Sequence, residues 1–287
     1  FFLRKIFLMI LDAHTHIFSP RIITNREKYL GEDSTLREMY SDPSSNMTSD
    51  DDLINSMNHS GIDKAIVMGP GWTNISLAKE SNDYIINAVQ RFPDRLIGFC
   101  SINPLWDESA IIEIERCVSS GIKGIGELHP STQGFDITNK SFMHNVMDTA
   151  LKLNIPVLVH GSEPVGHKYP GKGDTTPEKL YSFISNFPQN SIICAHWGGG
   201  LPFYALMPEV TNVFKNTYFD TAASPFLYKP SIYRVLGDLI GFGNILFGTD
   251  FPLMPYKKYF DELNLVKITT GDKEKILGGN ARTLLGS

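Results

Sequence analysis

The segment ILDAHTH, Ile10 to His16, sets how the rest of the chain is read. Its apolar entry reads as a buried strand, and side chains alternate between the two faces of a strand, so His14 and His16 project to one side. Two imidazoles one pleat apart can grip a single divalent ion. Working outward, comparable apolar runs end in an imidazole or a carboxylate four more times. These are IKGIGELH with Glu127, IPVLVH with His160, SIICAHWGGG with His196, and NILFGTD with Asp250. Between the runs lie longer amphipathic stretches.

Eight strand-like runs are predicted: Ile10–His14, Lys64–Met68, Leu96–Ile102, Lys123–Leu128, Val157–His160, Ile192–Ala195, Thr217–Asp220 and Ile245–Phe247. They are apolar almost throughout, as strands covered on both faces should be. Helices are predicted over Ser49–Ser60, Ile75–Arg91, Glu108–Ser120, Ser141–Leu153, Pro177–Asn186, Pro202–Phe214 and Ser231–Leu239, with a helical tail after Tyr256. Ser49 is the expected cap of the first, and Gly61 and Gly121 are expected stops. Eight strands alternating with eight helices is the pattern of a TIM-type (β/α)₈ barrel, α/β in class and a single domain. An open doubly wound sheet is disfavoured because no GxGxxG follows the first strand. HWGGGLP reads as a tight loop rather than an anion site.

The 287 residues suit one such barrel, and 42% hydrophobic content with 20% charged residues is ordinary for a globular core. A net charge of −5, with no Lys/Arg cluster, excludes a nucleic-acid function. Cys100, Cys117 and Cys194 lack CxxC spacing and fit a reducing compartment, so the expected location is cytoplasmic. FFLRKIFL, residues 1–8, runs into the first strand without a cleavage site and is too short to span a bilayer. The domain is therefore expected over residues 9–287, with 1–8 as an upstream extension. Partners are then a small-molecule substrate, with neither nucleic acid nor membrane; the sequence leaves homo-oligomerisation open.

In a closed barrel the C-terminal strand ends converge on one mouth. His14, His16, Glu127, His160, His196 and Asp250 all fall at such ends, on strands 1, 4, 5, 6 and 8. Burying so many polar groups without a shared partner is costly, and a metal supplies that partner. Imidazole and carboxylate donors suit zinc, with manganese as an alternative, as one ion or two. Taken singly, each histidine would more simply be a hydrogen-bonded core residue; the joint pattern favours the metal.

This order of motifs resembles the amidohydrolase superfamily. DAHTHIF, PVLVHGSEPVGHKYPGKG, AHWGGG and ILFGTDFP are similar to its amidohydrolase-related branch, which also holds aminocarboxymuconate-semialdehyde and resorcylate-type decarboxylases. The resemblance implies that His14, His16, His160 and Asp250 ligate a first metal. It makes His196 a second-metal ligand or a catalytic imidazole. Glu127 would stand where many members carry a bridging carbamylated lysine. His129 has the same parity as Glu127 and is the alternative inward-facing group.

The leading functional expectation is a metal-dependent hydrolase acting on an amide, lactone or related ester. Metal binding lowers the pKa of water from ~15.7 to about 7, and Asp250 would shuttle its proton. The alternative is metal-dependent, non-oxidative decarboxylation of an aromatic or unsaturated carboxylic acid. Long connections after strands 1 and 5 are expected to shape substrate choice. His167, Tyr169 and Trp72 are the substrate-binding candidates, Lys168 and Lys172 weaker ones, and Arg21 and Arg26 carboxylate forks if not simply solvated. Asp12 shares the parity of His14, so it either orients a ligand imidazole or pairs at the base of the strand.

Overall fold

The computed structural model describes residues 9–286. The expectation for residues 1–8 lies outside the described residues. Strands β1 (Leu11–His16), β2 (Lys64–Met68), β3 (Leu96–Cys100), β4 (Gly124–Leu128), β5 (Val157–Val159), β6 (Ile192–Cys194), β7 (Thr217–Asp220) and β8 (Ile245–Leu246) pair in sequence order, all parallel. The Ala13 amide donates to the Phe247 carbonyl at 2.7 Å, and Thr15 bridges Phe251, which joins β8 back to β1. The fold is a TIM-type barrel.

Two apolar layers follow from the alternation along each strand. Ile66, Met68, Phe99, Leu158, Ile193 and Leu246 pack inside the barrel, with Ala281 of the C-terminal helix beneath them. Ala65, Val67, Cys100, Val157, Val159, Cys194 and Phe219 pack outward against the helices. The Asp50–Ser60 helix has the expected Ser49 cap, with Asp52 returning a bond to the Ser49 amide, and it stops at Gly61 in the left-handed region.

Three expectations are corrected. The helix expected over Pro202–Phe214 is broken into a 3₁₀ segment His196–Tyr204, a turn of helix Pro208–Thr211 and a further 3₁₀ turn Asn212–Asn216. Pro202 and Pro208 interrupt the backbone donors, and His196 to Gly200 all have positive φ. Gly199 is required there, because a Cβ would lie 2.3 Å from the Ser162 carbonyl oxygen. The connection after β1 is not an open loop. It forms α1 (Pro20–Thr24), α2 (Arg26–Glu32) and α3 (Ser34–Tyr40), with their own core of Phe18, Ile22, Tyr29, Leu36 and Tyr40. Finally, β1 does not alternate evenly. Asp12 pairs with Ala65 of the outer layer, but after a register shift His16 pairs with Met68 of the inner one. The parity linking Asp12 to His14 is therefore broken.

Among the described residues, no helix is long and apolar enough to cross a membrane.

Candidate metal centre

The barrel mouth gathers all six expected donors. His14, His16 and Asp250 form one group whose ligand atoms lie within 4.8 Å of one another, and Glu127, His160 and His196 form a second. Glu127 joins them. Its Oε2 lies 3.6 Å from His16 Nε2 and 3.9 Å from His14 Nε2, while its Oε1 lies 3.0 Å from His160 Nδ1 and 3.7 Å from His196 Nε2. Asp250 Oδ1 sits 3.3 Å from His16 Nε2. Five of the six side chains are at most 6% exposed, and Asp250 is 18% exposed.

The lone pairs point inward because the opposite ring nitrogens are engaged. His14 Nδ1 lies 2.9 Å from Asp220 Oδ2, His196 Nδ1 3.1 Å from the Ala222 carbonyl, and His160 Nε2 3.1 Å from the Lys172 carbonyl. A carbonyl or carboxylate oxygen accepts, so each of these rings donates outward and turns its other nitrogen to the centre, where a cation would replace the proton it carries. His14 Nε2 and His16 Nε2 then stand 3.1 Å apart, and His16 Nδ1 is buried without a partner. Such converging acceptors fit one or two divalent cations.

Titration of the cation-free groups follows the same logic. Burial disfavours charge on His14, but Asp220, Glu127 and Asp250 override it and raise the imidazole to about 10. His196 is likewise raised to about 9, burial being outweighed by Glu127 and Asp250. Burial opposes ionisation of Glu127 and Asp250, yet the surrounding imidazoles hold both carboxyls below their usual range. Protons thus take up the positive charge that the acids call for. Asp12 differs: burial dominates and pushes its carboxyl up to about 7, against hydrogen bonds from Thr249 and His14.

Two residues at the centre were not singled out from the sequence. Asp220, at the end of β7, is fully buried; besides His14 it accepts the His196 amide at 2.9 Å and the Ala222 amide at 3.0 Å through Oδ1. Asp12 instead accepts from the Thr249 hydroxyl and amide, so the carboxylate that orients His14 is Asp220. The signal was available, since Asp220 ends an apolar run like the others. Tyr40, from α3, lines the same cavity as Glu127, His160, His196 and Asp250. Burial raises its phenol, and the charges of Asp250 and Glu127 raise it further.

His129 does not join the donors. It stacks on His160 with ring centroids 4.0 Å apart and bonds the Gly171 carbonyl through Nε2. Burial, followed by the His160 charge, lowers it to about 3, so it is a neutral backing for that ligand. β4 ends at Leu128 and His129 caps the following Pro130–Gln133 turn of helix, so the strand alternation that would pair it with Glu127 no longer applies.

A cavity of about 230 Å³ opens above the donors, with Tyr169 and Phe226 among its walls. That is room for roughly seven waters, at ~30 Å³ each, or for one small ring. Tyr169 donates to Glu163 at 2.8 Å, and the exposed His167 meets Phe226 edge-to-face, ring centroids 4.9 Å apart. Trp72 is fully buried against Phe18 and is not among the lining residues. Arg26 does not face the cavity as a fork; it donates to the carbonyls of Tyr40, Asp42, Pro43 and Ser45. Arg21 pairs with Glu80 at 3.4 Å.

The family model described as Amidohydrolase matches residues 11–287. The gamma-resorcylate decarboxylase of Polaromonas sp. is 25% identical, covering 72% of this chain and 75% of its own. The 2-amino-3-carboxymuconate-6-semialdehyde decarboxylase of Dictyostelium discoideum is 24% identical, over 96% and 91%. A crystal structure of 5-carboxyvanillate decarboxylase from Novosphingobium aromaticivorans, complexed with manganese and 4-hydroxy-3-methoxy-5-nitrobenzoic acid, superimposes with a TM-score of 0.79 at 18% identity, covering 97% of this chain and 96% of the other. These relatives overturn the hydrolase expectation. The motifs shared across the superfamily fix the metal-binding strand ends, not the bond that is broken, so they could not exclude it.

Proposed function

The chain belongs to the amidohydrolase family, and from that premise we propose that it is a metal-dependent, non-oxidative decarboxylase of a small hydroxyaromatic or related unsaturated acid. Residues 9–287 act as one catalytic unit. The observation that carries the reading is the floor of six converging donors under a cavity sized for one ring, together with decarboxylase relatives.

His14, His16, Glu127, His160, His196 and Asp250 would hold one or two divalent ions. Their mixed imidazole and carboxylate set suits manganese, the ion in the Novosphingobium decarboxylase, and also zinc. Bound there, a cation supplies Lewis-acid attraction for the substrate carboxylate and its neighbouring oxygen. Asp250 is the most exposed of the six and the one we assign to proton transfer. Ionised at rest, it would first take a proton from the entering substrate or from water and then deliver that H⁺ to the ring carbon bearing the carboxylate. The carbon–carbon bond then breaks, its electron pair restores the ring, and CO₂ leaves. His196, anchored through the Ala222 carbonyl, positions the acid group. Tyr169 and Phe226 wall the ring, with His167 supporting Phe226 from outside.

The test is CO₂ release from a panel of hydroxybenzoates by protein stripped with chelator and reloaded with manganese or zinc. Release is expected only after reloading, and Asp250→Asn should lower kcat by roughly 10²–10⁴-fold. Undiminished turnover in the stripped protein would overturn the proposal.

A further inference from the structure

The floor of the cavity is rich in charge, but its walls and roof are not. Met39 and Tyr40 of α3, Ser45 and Asn46 after it, Tyr169 and Leu253 face the floor from above and beside it. Among the described lining residues there is no lysine or arginine. Three cations of the surrounding loops are engaged elsewhere. Arg26 is committed to backbone carbonyls behind residues 40–45, and Lys172 Nζ donates to the carbonyls of Val165 at 2.8 Å and His167 at 3.0 Å. Arg21 is 63% exposed and paired with Glu80.

We propose that this cavity selects a hydroxyaromatic acid carrying a single carboxylate and rejects ring dicarboxylates. The inference rests on the decarboxylase reading of the same site. With the reacting carboxylate directed to the floor, any further substituent on the ring meets the walls and roof. The Tyr40 phenol, the Ser45 hydroxyl and the Asn46 amide can satisfy a hydroxyl, a methoxy oxygen or an amine, and the Tyr169 oxygen, whose proton goes to Glu163, can accept from a hydroxyl or amine. A second carboxylate is different. It leaves water carrying a full charge, and only neutral donors await it where a charge-assisted fork would be needed. A site built of neutral donors therefore discriminates against the extra charge through its uncompensated desolvation.

The experiment compares matched pairs on the manganese-loaded protein by calorimetric titration, beginning with salicylate against 4-hydroxyisophthalate, which differ by one ring carboxylate. The monoacid should bind tighter by on the order of 100-fold, since one unpaired buried charge is being resisted. Leu253→Arg, at the rim, should reduce that ratio by about tenfold or more, with Met39→Lys as the substitute should the first variant not fold. Equal or tighter binding of the dicarboxylate by the unmodified protein overturns the inference, as does failure of both acids to bind. CO₂ release is followed in the same samples. Selective monoacid binding without release upholds the inference about the cavity while removing the reaction, so the two claims fail separately.

Discussion

Asp220 offers the sharpest test of how the centre is held. Its carboxylate serves three buried donors: His14 Nδ1 through Oδ2, and the amides of His196 and Ala222 through Oδ1. Truncation to alanine would strand all three. At about 1–3 kcal/mol for each unsatisfied donor, the loss is roughly 3–9 kcal/mol, against a typical total stability of about 5–15 kcal/mol. That variant mainly tests folding. Asp220→Asn keeps the shape and asks about the ring. If the amide nitrogen faces His14, Nδ1 must accept and Nε2 carries the proton, which blocks the lone pair turned toward Glu127 and Asp250. If the amide is flipped, its NH₂ confronts the two backbone N–H groups. Either arrangement disturbs a ligand, and loss of such an outer partner costs roughly 10–100-fold in metal affinity, or about 1.4–2.7 kcal/mol. Manganese affinity is read by competition with a chromophoric chelator. At fixed manganese the melting temperature should also fall by roughly 3–10 °C. A dissociation constant within about twofold of the unmodified protein, with an unchanged melting temperature, would refute the claim that Asp220 sets the His14 tautomer.

The same electrostatics predict opposite pH trends with and without metal. His14 and His196 are raised from 6.5 to about 10 and about 9, so their stabilisation is complete below the unfolded value and is lost as pH rises through the folded ones. Glu127 and Asp250 are lowered, so their contribution is lost only in acid. Stripped protein should melt at falling temperatures from about pH 6.5 to pH 9, whereas metal binding needs deprotonated ligands and strengthens over that range. The manganese-induced shift should therefore widen with pH in scanning calorimetry, and a constant shift would contradict the assignment. Arg26→Met frees the carbonyls of residues 40–45 from their guanidinium. Faster amide hydrogen exchange there is expected, with KM raised by about fivefold for the loss of one net hydrogen bond of about 1 kcal/mol; unaltered exchange would show that the segment is held by other contacts.

Much of this site could be read from the sequence because a barrel converts a one-dimensional rule into a three-dimensional one. Whatever polar group ends a buried strand arrives at the mouth, and Glu127, His160, His196 and Asp250 needed nothing more than that rule. The readings that failed did so where strict alternation fails. A shift in β1 separates Asp12 from His14, and β4 ends at Leu128, so Glu127 meets the donors while His129, capping the next helix, backs His160. Neither irregularity leaves a trace in hydrophobic periodicity, which averages over several residues. The roof failed for a different reason. α1 to α3 are held by a local apolar cluster and by Arg26 gathering carbonyls, contacts between residues that no spacing rule pairs. Trp72 is a member of that cluster, which is why a tryptophan expected at the substrate wall is packed beneath the roof instead. Tyr40 lies at the end of α3 and reaches the cavity only because the cluster fixes that helix. The six converging donors are thus a property of the strand ends. The roof above them comes from α1 to α3, a segment that folds on an apolar cluster of its own.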